Sequence, residues 1–142
     1  VVYKGGFPAM MDTMAGQTQI NIGALVQTMP HLKGGKLKPL ATTGAKRAGP
    51  TPELPTVAEA GIPGYEANNW WAVAAPAGTA ANIVNRINAE SLRFLQQPEI
   101  VKRLEADGVE PDPRSPDSIR KFLPIEMAKW ANVAKVANIR VQ

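Results

Sequence analysis

The chain contains no cysteine and a single histidine, and both scarcities exclude kinds of site. Without cysteine there is no disulfide, iron–sulfur cluster, thiolate zinc site or thiol nucleophile. A histidine-based metal site or a Ser-His-Asp triad would depend on His31 alone, and no partner motif accompanies it. We therefore interpret His31 as a surface or helix-terminal residue, and we predict no metal and no cofactor.

Long apolar runs and clustered positive charge are also missing. No stretch approaches the roughly 18 to 20 consecutive apolar residues of a membrane-spanning helix. The first residues, Val1-Val2-Tyr3-Lys4, do not resemble a signal peptide, so the export signal is expected to be absent from this sequence. The net charge is +4, with Lys and Arg scattered among acids and no zinc-finger spacing, RNP motif or basic helix. With 44% hydrophobic residues, this composition predicts a folded domain that binds no nucleic acid.

A persuasive catalytic set is absent too. The carboxylates fall mostly on predicted helix faces or loops with lysine or arginine nearby, which is typical of solvated surfaces. No GxGxxG motif follows a predicted strand, and Gly34-Gly35-Lys36 lacks the remaining spacing of a phosphate-binding loop. We predict that the protein is not an enzyme. The alternatives are an enzyme domain that processes a small acid and an interaction module without a ligand.

Strand and helix patterns alternate over residues 1–43. Short runs of β-branched or alternating residues predict strands, and apolar residues at helical spacing, closed by Gly16 or Gly34, predict helices. This alternation favours an α/β fold with a parallel sheet and right-handed crossovers. In chain order, the predicted strands and helices cover 1–3, 9–15, 19–22, 26–32 and 38–43.

The next part of the chain is a connection rich in proline and glycine. It covers 44–64 and contains one predicted helical turn at 57–61. A fourth extended segment follows at 65–75. It ends at Pro76-Ala77-Gly78.

Helices are predicted for the remainder. Thr79 is expected to cap the first of them, and Pro98 interrupts the pattern to begin the next. Ser115-Pro116 combines a capping residue with a first-turn proline and begins the last helix. Pro124 removes an internal hydrogen bond and is expected to kink or divide that helix.

One segment, Lys4-Gly5-Gly6-Phe7-Pro8-Ala9, joins the end of a predicted strand to the start of a predicted helix. Open α/β sheets bind ligands outside the carboxyl ends of their strands, and helix N-termini present free amide donors with a partial positive charge. Glycines let a ligand approach the backbone, while Lys4 adds attraction for an anion. The segment predicts an anion-binding turn, although a plain strand-to-helix turn has the same spacing.

Several phrases recur in a recognisable order along nearly the whole chain. They are VYKGG at 2–6, PA at 8–9, Asp12, PH at 30–31, GKL at 35–37, LPTVAEAG at 54–61, PGYE at 63–66, Trp70, APAGT at 75–79, Glu126 and KW at 129–130. Together they resemble the substrate-binding proteins of tripartite tricarboxylate transporters, the Bug or TctC family. Members of that family are longer, with two α/β lobes that hold a carboxylate-bearing solute in the cleft between them.

The resemblance implies a partial fold of the type II periplasmic-binding-protein kind, with a parallel-rich sheet, flanking helices and C-terminal helices. Residues 1–78 would form the core of the second lobe and a return segment, with a lobe boundary as early as residue 44. Residues 79–142 would supply helices that pack on the first lobe. The chain would be the C-terminal half of a periplasmic protein that captures a small carboxylate for the membrane subunits of a transporter.

The resemblance also implies which residues bind the ligand and which chemical groups the ligand carries. Many relatives have aspartate at the positions of Gln19 and Gly23, and the missing acid at Gly23 favours a simple carboxylate or aromatic acid over an amino acid. Because a half-sheet exposes an apolar face and an unpaired edge, a homodimer of the fragment is a further hypothesis. The implied ligand-binding residues are Tyr3, Lys4, Gly5, Gly6, Phe7, Pro8, Ala9, Gly23, Ala24 and Trp70.

Overall fold

The computed structural model describes residues 3–139, and this part of the chain contains five α-helices. None of these helices is long and apolar enough to cross a membrane. In chain order they are α1 (Gly6–Met14), α2 (Leu25–Lys33), α3 (Ala81–Leu95), α4 (Pro98–Ala106) and α5 (Pro116–Val136).

The described residues form two compact units. The first, which we call the N-terminal unit, joins Val1–Val73 to Pro98–Pro111 over their described parts and contains α1, α2 and α4. The second, which we call the helical unit, joins Ala74–Gln97 to Asp112–Gln142 over their described parts and contains α3 and α5.

The predicted parallel sheet is not present within residues 3–139. The segments 19–22, 38–43 and 65–75 contain no strand, and the only β-pairing there is an isolated parallel bridge between Thr42 and Thr56. A strand forms its backbone hydrogen bonds with a neighbouring strand. A segment with an alternating polar and apolar sequence therefore stays irregular when no second strand lies beside it. The predicted strand at 1–3 lies outside the described residues except for Tyr3, which is not in a strand.

The two helices predicted for the first part of the chain are confirmed, with one boundary corrected. α2 matches its prediction to within one residue at each end, whereas α1 begins at Gly6, three residues before the predicted start. The sequence pattern missed these residues because Gly6 and Phe7 do not show helical periodicity. Pro8 fits in the first turn because its missing N–H would have no intrahelical partner there.

Most of the helices end in the same hydrogen-bonded turn. After α1, the Gly16 amide donates to the Thr13 carbonyl at 3.1 Å and the Gln17 amide donates to the Asp12 carbonyl at 2.8 Å, the two bonds of a Schellman motif. Four of the described helices are followed by a residue with positive φ, the left-handed backbone conformation that this turn requires. These residues are Gly16, Gly35, Gly108 and Asn138.

The connection at 44–64 is ordered by a reciprocal pair of hydrogen bonds. The Glu59 amide donates to Oγ1 of Thr56 at 3.0 Å, and the Thr56 amide donates to Oε2 of Glu59 at 2.8 Å. This is a capping box, here closing a single turn that confirms the prediction for 57–61. Arg47 forms an ion pair with Glu59 at 2.9 Å, and Thr56 is buried beside Thr42. The motif thus fastens the connection to the segment that precedes it.

The helical unit corrects one predicted cap and confirms another. Ala80, not Thr79, is the N-cap of α3, because the Thr79 hydroxyl donates to the Pro76 carbonyl at 2.8 Å instead of accepting from a helical amide. Ser115 caps α5, since its hydroxyl accepts from the Ser118 amide. Pro124 does not divide α5, which continues through it to Val136.

Two contacts join the segment before α5 to other parts of the helical unit. Nδ2 of Asn88 on α3 donates to the Arg114 carbonyl at 2.9 Å. The Arg114 guanidinium in turn lies 4.5 Å from the centre of the Phe122 ring, a cation–π contact. Arg114 therefore connects the two helices of this unit.

Very little of the described chain is fully buried. Met10 and Met29 are the only large apolar side chains in the buried class, and Thr51 and Thr56 are the only buried polar residues among residues 3–139. Many large apolar side chains are exposed, including Val73, Ile83 and Val136. Soluble proteins seldom expose so many large apolar groups without a partner surface.

Candidate ligand site

The turn for which the sequence predicts anion binding lies at the N-terminus of α1. Gly5 is the N-cap with φ 126° and ψ 169°, a conformation open almost only to glycine, and no side chain caps the helix. Neither the Gly6 amide nor the Phe7 amide meets a hydrogen-bond acceptor within residues 3–139. Gly5, Gly6, Phe7 and Pro8 are exposed. Two backbone donors at the positive, exposed end of the helix therefore have no acceptor in the described part of the chain.

The residues around this turn hold it in place. The Tyr3 hydroxyl donates to Oδ2 of Asp12 at 2.7 Å, which joins the segment before α1 to the body of the helix. This hydrogen bond from Tyr3 to the Asp12 carboxylate, more than the burial or the charge of Asp12, raises the pKa of the Tyr3 hydroxyl above its usual 10.0. Lys4 is exposed beside the turn, and Ala9 is half-buried behind it.

The N-terminus of α2 is a second uncapped helix end. Its N-cap is Ala24, whose side chain cannot accept a hydrogen bond, while its carbonyl accepts from the Gln27 and Thr28 amides at 3.0 and 3.3 Å. The Leu25 and Val26 amides have no acceptor in the described part of the chain. The exposed Gly23 precedes this end. The two glycine segments singled out in the sequence therefore both lead into helix N-termini.

A side-chain contact brings these two helix ends together. A methyl group placed on Gly6 would lie 2.8 Å from Oε1 of Gln27, so the first turn of α2 reaches the first residue of α1. On its other side α2 touches Gly108, where an added methyl group would lie 2.9 Å from Cγ of Leu25 and 3.1 Å from its carbonyl carbon. The residues 4–9 and 23–24 thus belong to one region of the N-terminal unit.

Trp70 lies in the same unit, within the irregular segment that follows the connection. Its side chain is 42% exposed and that of Trp71 is 66% exposed. The expectation that one of them lines the ligand cleft while the other packs in the core stays a prediction.

The stretch of chain that carries the two helix ends is poor in acids. No Asp or Glu occurs between Asp12 and Glu53, while Lys33, Lys36 and Lys38 fall within this interval. The nearest acid to the α1 N-terminus in sequence, Asp12, accepts the hydrogen bond from Tyr3. With free amide donors and no carboxylate from this stretch, the region suits an anion.

Sequence reasoning did not single out two polar side chains that lie next to these glycines, Asn21 and Gln27. Both are uncharged and neither belongs to a recognisable motif, so only their position relative to Gly6 and Gly23 reveals them. A weaker signal was available, since Gln27 occupies the first turn of a predicted helix whose start has no capping side chain.

The described residues also form a cleft that the sequence did not indicate. It has a volume of about 280 Å³ and lies between α2 and the end of α4. Nζ of Lys33 donates to the Ala106 carbonyl at 2.8 Å at this place. The lining residues are Val26, Met29, Pro30, Lys33, Ala106 and Asp107.

Comparison with solved structures defines the class of protein. The structure of R. palustris Rpa4515 with adipate matches 97% of this chain with 40% sequence identity and a TM-score of 0.87. The periplasmic binding protein BugD covers 100% of this chain with 28% identity and a TM-score of 0.81. The described fold is therefore that of part of a periplasmic binding protein, a class of receptors and not of enzymes.

Comparison of the sequence with known families identifies the family. Residues 1–139 match the tripartite tricarboxylate transporter family receptor, TctC, and the chain belongs to this family, as the sequence phrases predicted. The protein BugT of Bordetella pertussis is 32% identical over 142 residues. This chain spans 44% of BugT, 46% of the adipate-bound structure and 48% of BugD, less than half of each.

Proposed function

We propose that this chain is the C-terminal half of a periplasmic solute-binding protein that captures a small carboxylate, with the α1 N-terminus as its carboxylate-binding turn. The observation that carries the proposal is the pair of amides of Gly6 and Phe7, two exposed residues, which have no acceptor within residues 3–139. The adipate in the structure at 40% identity supports a carboxylate as the class of ligand.

The chemistry of the turn follows from its donors. A carboxylate offers two oxygens, each able to accept a backbone N–H, and hydrogen bonds to an ionised acceptor are the strong ones. The partial positive charge of the helix end and the Lys4 ammonium favour the ionised ligand. Because Gly5 and Gly6 carry no side chain, the ligand oxygens can reach the amides without steric conflict.

The test is a ligand titration followed at individual amides. ¹⁵N-labelled chain titrated with adipate at pH 7 is expected to show saturable shifts at Gly5, Gly6 and Phe7, with smaller shifts at Gly23. NMR suits this purpose because it detects weak binding, which we expect when one wall of a two-lobed cleft acts alone. Recovery of unchanged adipate after prolonged incubation would argue for binding without turnover.

A matched pair of variants locates the binding. Gly6→Val places a branched side chain over the free amides and is expected to weaken adipate binding by about tenfold or more, the loss of a charge-assisted hydrogen bond. Ala15→Val adds similar bulk at the exposed opposite end of α1 and is expected to leave binding unchanged. Equal affinity of the Gly6→Val chain and the unaltered chain would remove this turn from the site.

The proposal extends to the partners of the chain. The membrane subunits of a tripartite transporter are the proposed recipients of the ligand, supported by the family to which the chain belongs. We propose that residues 79–142 pack on the first lobe of the longer protein. We also propose that segments 19–22 and 38–43 join a sheet of the second lobe, supported by the parallel bridge at Thr42. Alternatively, we propose that a second copy of the chain covers the exposed apolar surface, which would give a homodimer.

A further inference from the structure

The positive charge of the chain is concentrated in the helical unit. Over the ranges 1–73 and 98–111 of the N-terminal unit, the sequence contains eight basic and eight acidic residues, so the formal side-chain charge is zero. Over the ranges 74–97 and 112–142 of the helical unit, it contains eight basic and only four acidic residues. The net charge of +4 therefore comes from the helical unit alone.

The acids of the helical unit are already paired with bases of the same unit. The four ion pairs are Glu90–Arg93, Asp112–Arg114, Asp117–Arg120 and Glu126–Lys129. The other described bases of the unit, Arg86, Lys121 and Lys135, are exposed and make no ion pair within residues 3–139. An exposed cation without a neighbouring acid adds its full charge to the field around the molecule.

Two of these bases lie on one side of α5. Lys121 and Lys135 are nearly four helical turns apart, so their side chains leave the helix in similar directions, about 21 Å from each other along its axis. Ile125, which is 68% exposed, lies between them on that side. The half-buried Leu123 and Glu126 lie on the opposite side by helical spacing. The outward face, as we call Lys121, Ile125 and Lys135, is therefore not the face that α5 buries.

The spacing of the two lysines decides which kind of partner they suit. Their separation of about 21 Å is more than two Debye lengths at physiological ionic strength, so they cannot act together on a single small anion. Charges spread over such a distance suit an extended surface of opposite sign, and anionic phospholipid headgroups form one. An aliphatic side chain such as Ile125 can enter the boundary between headgroups and acyl chains.

We propose that the outward face of α5 associates with an anionic phospholipid surface. This interaction goes beyond the proposed function, since it needs neither the α1 turn nor a bound carboxylate. It would concentrate a transporter receptor at the membrane that holds the transporter. Because few bases take part, the association is expected to be weak, reversible and sensitive to salt.

The test is cosedimentation of the 142-residue chain with lipid vesicles at pH 7 and low ionic strength. We expect the chain to bind phosphatidylcholine vesicles that contain about 30% phosphatidylglycerol at least about tenfold more strongly than pure phosphatidylcholine vesicles. This preference is expected to disappear in about 0.5 M NaCl. The double replacement Lys121→Glu and Lys135→Glu is expected to weaken binding to the charged vesicles at least about tenfold.

Lys36→Glu with Lys102→Glu is the matched control. Both lysines are exposed in the N-terminal unit, and the double replacement gives the same net charge as the α5 variant. It is expected to leave binding within about threefold of the unaltered chain, since neither residue belongs to the outward face. Circular dichroism with unchanged helix content confirms that both variants fold.

Three results would overturn the proposal. Equal loss of binding in the two double variants would assign the attraction to the charge of the whole chain, and equal binding to charged and neutral vesicles would exclude an anionic surface. Binding to poly-L-glutamate without binding to the charged vesicles would make an acidic protein the partner of this face. The NMR titration with adipate tests the ligand site independently of all three.

Discussion

Gly108 shows how one residue can position a helix that belongs to the site. It follows α4 with a φ of 80°, and the place of its missing Cβ is occupied by Leu25, the first residue of α2. Two of the three nearest atoms are the carbonyl carbon and oxygen of Leu25, which cannot turn aside as a side chain can. The close approach of α4 to the start of α2 therefore requires glycine here.

Replacement of Gly108 by alanine is expected to lower the free energy of unfolding by about 2–4 kcal/mol. About 1–2 kcal/mol comes from the left-handed conformation and the remainder from forcing Leu25 away. The displacement of α2 is also expected to weaken adipate binding. Urea denaturation followed by circular dichroism measures the first effect, and the NMR titration measures the second.

Gly35→Ala is the control for the conformational part of this cost. Gly35 has a φ of 66°, but nothing lies within 4 Å of the position that its Cβ would take. Its replacement is expected to cost only about 1–2 kcal/mol and to leave ligand binding unchanged. If the two variants lose the same stability and bind alike, the contact between Gly108 and Leu25 does not position α2.

At the scale of elements, the capping box of Thr56 and Glu59 makes the connection sensitive to acid. The hydrogen bond from the Thr56 amide, and after it the Arg47 guanidinium, hold the pKa of Glu59 below its ordinary value of 4.5. A carboxyl group with a lowered folded pKa stabilises the fold above its unfolded pKa. This contribution is lost as the pH falls below 4.5 and through the lowered folded value.

Glu59→Gln is expected to flatten this part of the pH dependence. The amide oxygen can still accept from Thr56, but the charge that protonation removes is no longer present. Thermal unfolding measured between about pH 6 and pH 3 is expected to show a smaller loss of stability in the variant than in the unaltered chain. Glu53→Gln, in an exposed residue of the same connection, is the comparison. A parallel pH dependence of the unaltered chain and Glu59→Gln would exclude Glu59 as a source of acid sensitivity.

At the scale of the whole molecule, exposed apolar surface predicts association. On α3, Ile83, Ile87 and Phe94 are 50%, 48% and 53% exposed and lie on one face by helical spacing. BugT and the adipate-bound structure have more than half of their length outside the region that this chain matches. We expect the 142-residue chain on its own to associate with itself through this face.

Light scattering at increasing concentration is expected to show a rising mass for the unaltered chain. The double replacement Ile83→Glu and Ile87→Glu is expected to reduce this association without loss of helix content, since both side chains are already exposed. Asn85→Glu with Ala89→Glu adds the same charge to another exposed face of α3 as a control. A monomer at all concentrations up to millimolar would contradict the self-association.

The sequence by itself determined where most helices begin and end. Gly34, Pro98 and the Ser115-Pro116 pair act through hydrogen bonds and backbone angles within a few residues, so their effect can be read locally. The glycine turn before α1 and the family were also available from the sequence, because both depend on residue order.

Only the tertiary structure decided which of these local features meet. The contact of Gln27 with Gly6 and that of Gly108 with Leu25 join residues distant in sequence, and no local pattern encodes such pairs. The absence of the predicted sheet from the described residues also depends on long-range contacts. An alternating pattern makes a segment able to form a strand, but the strand forms only where a second strand lies beside it. Local chemistry fixed the helices, whereas the site and the unpaired segments depended on long-range contacts.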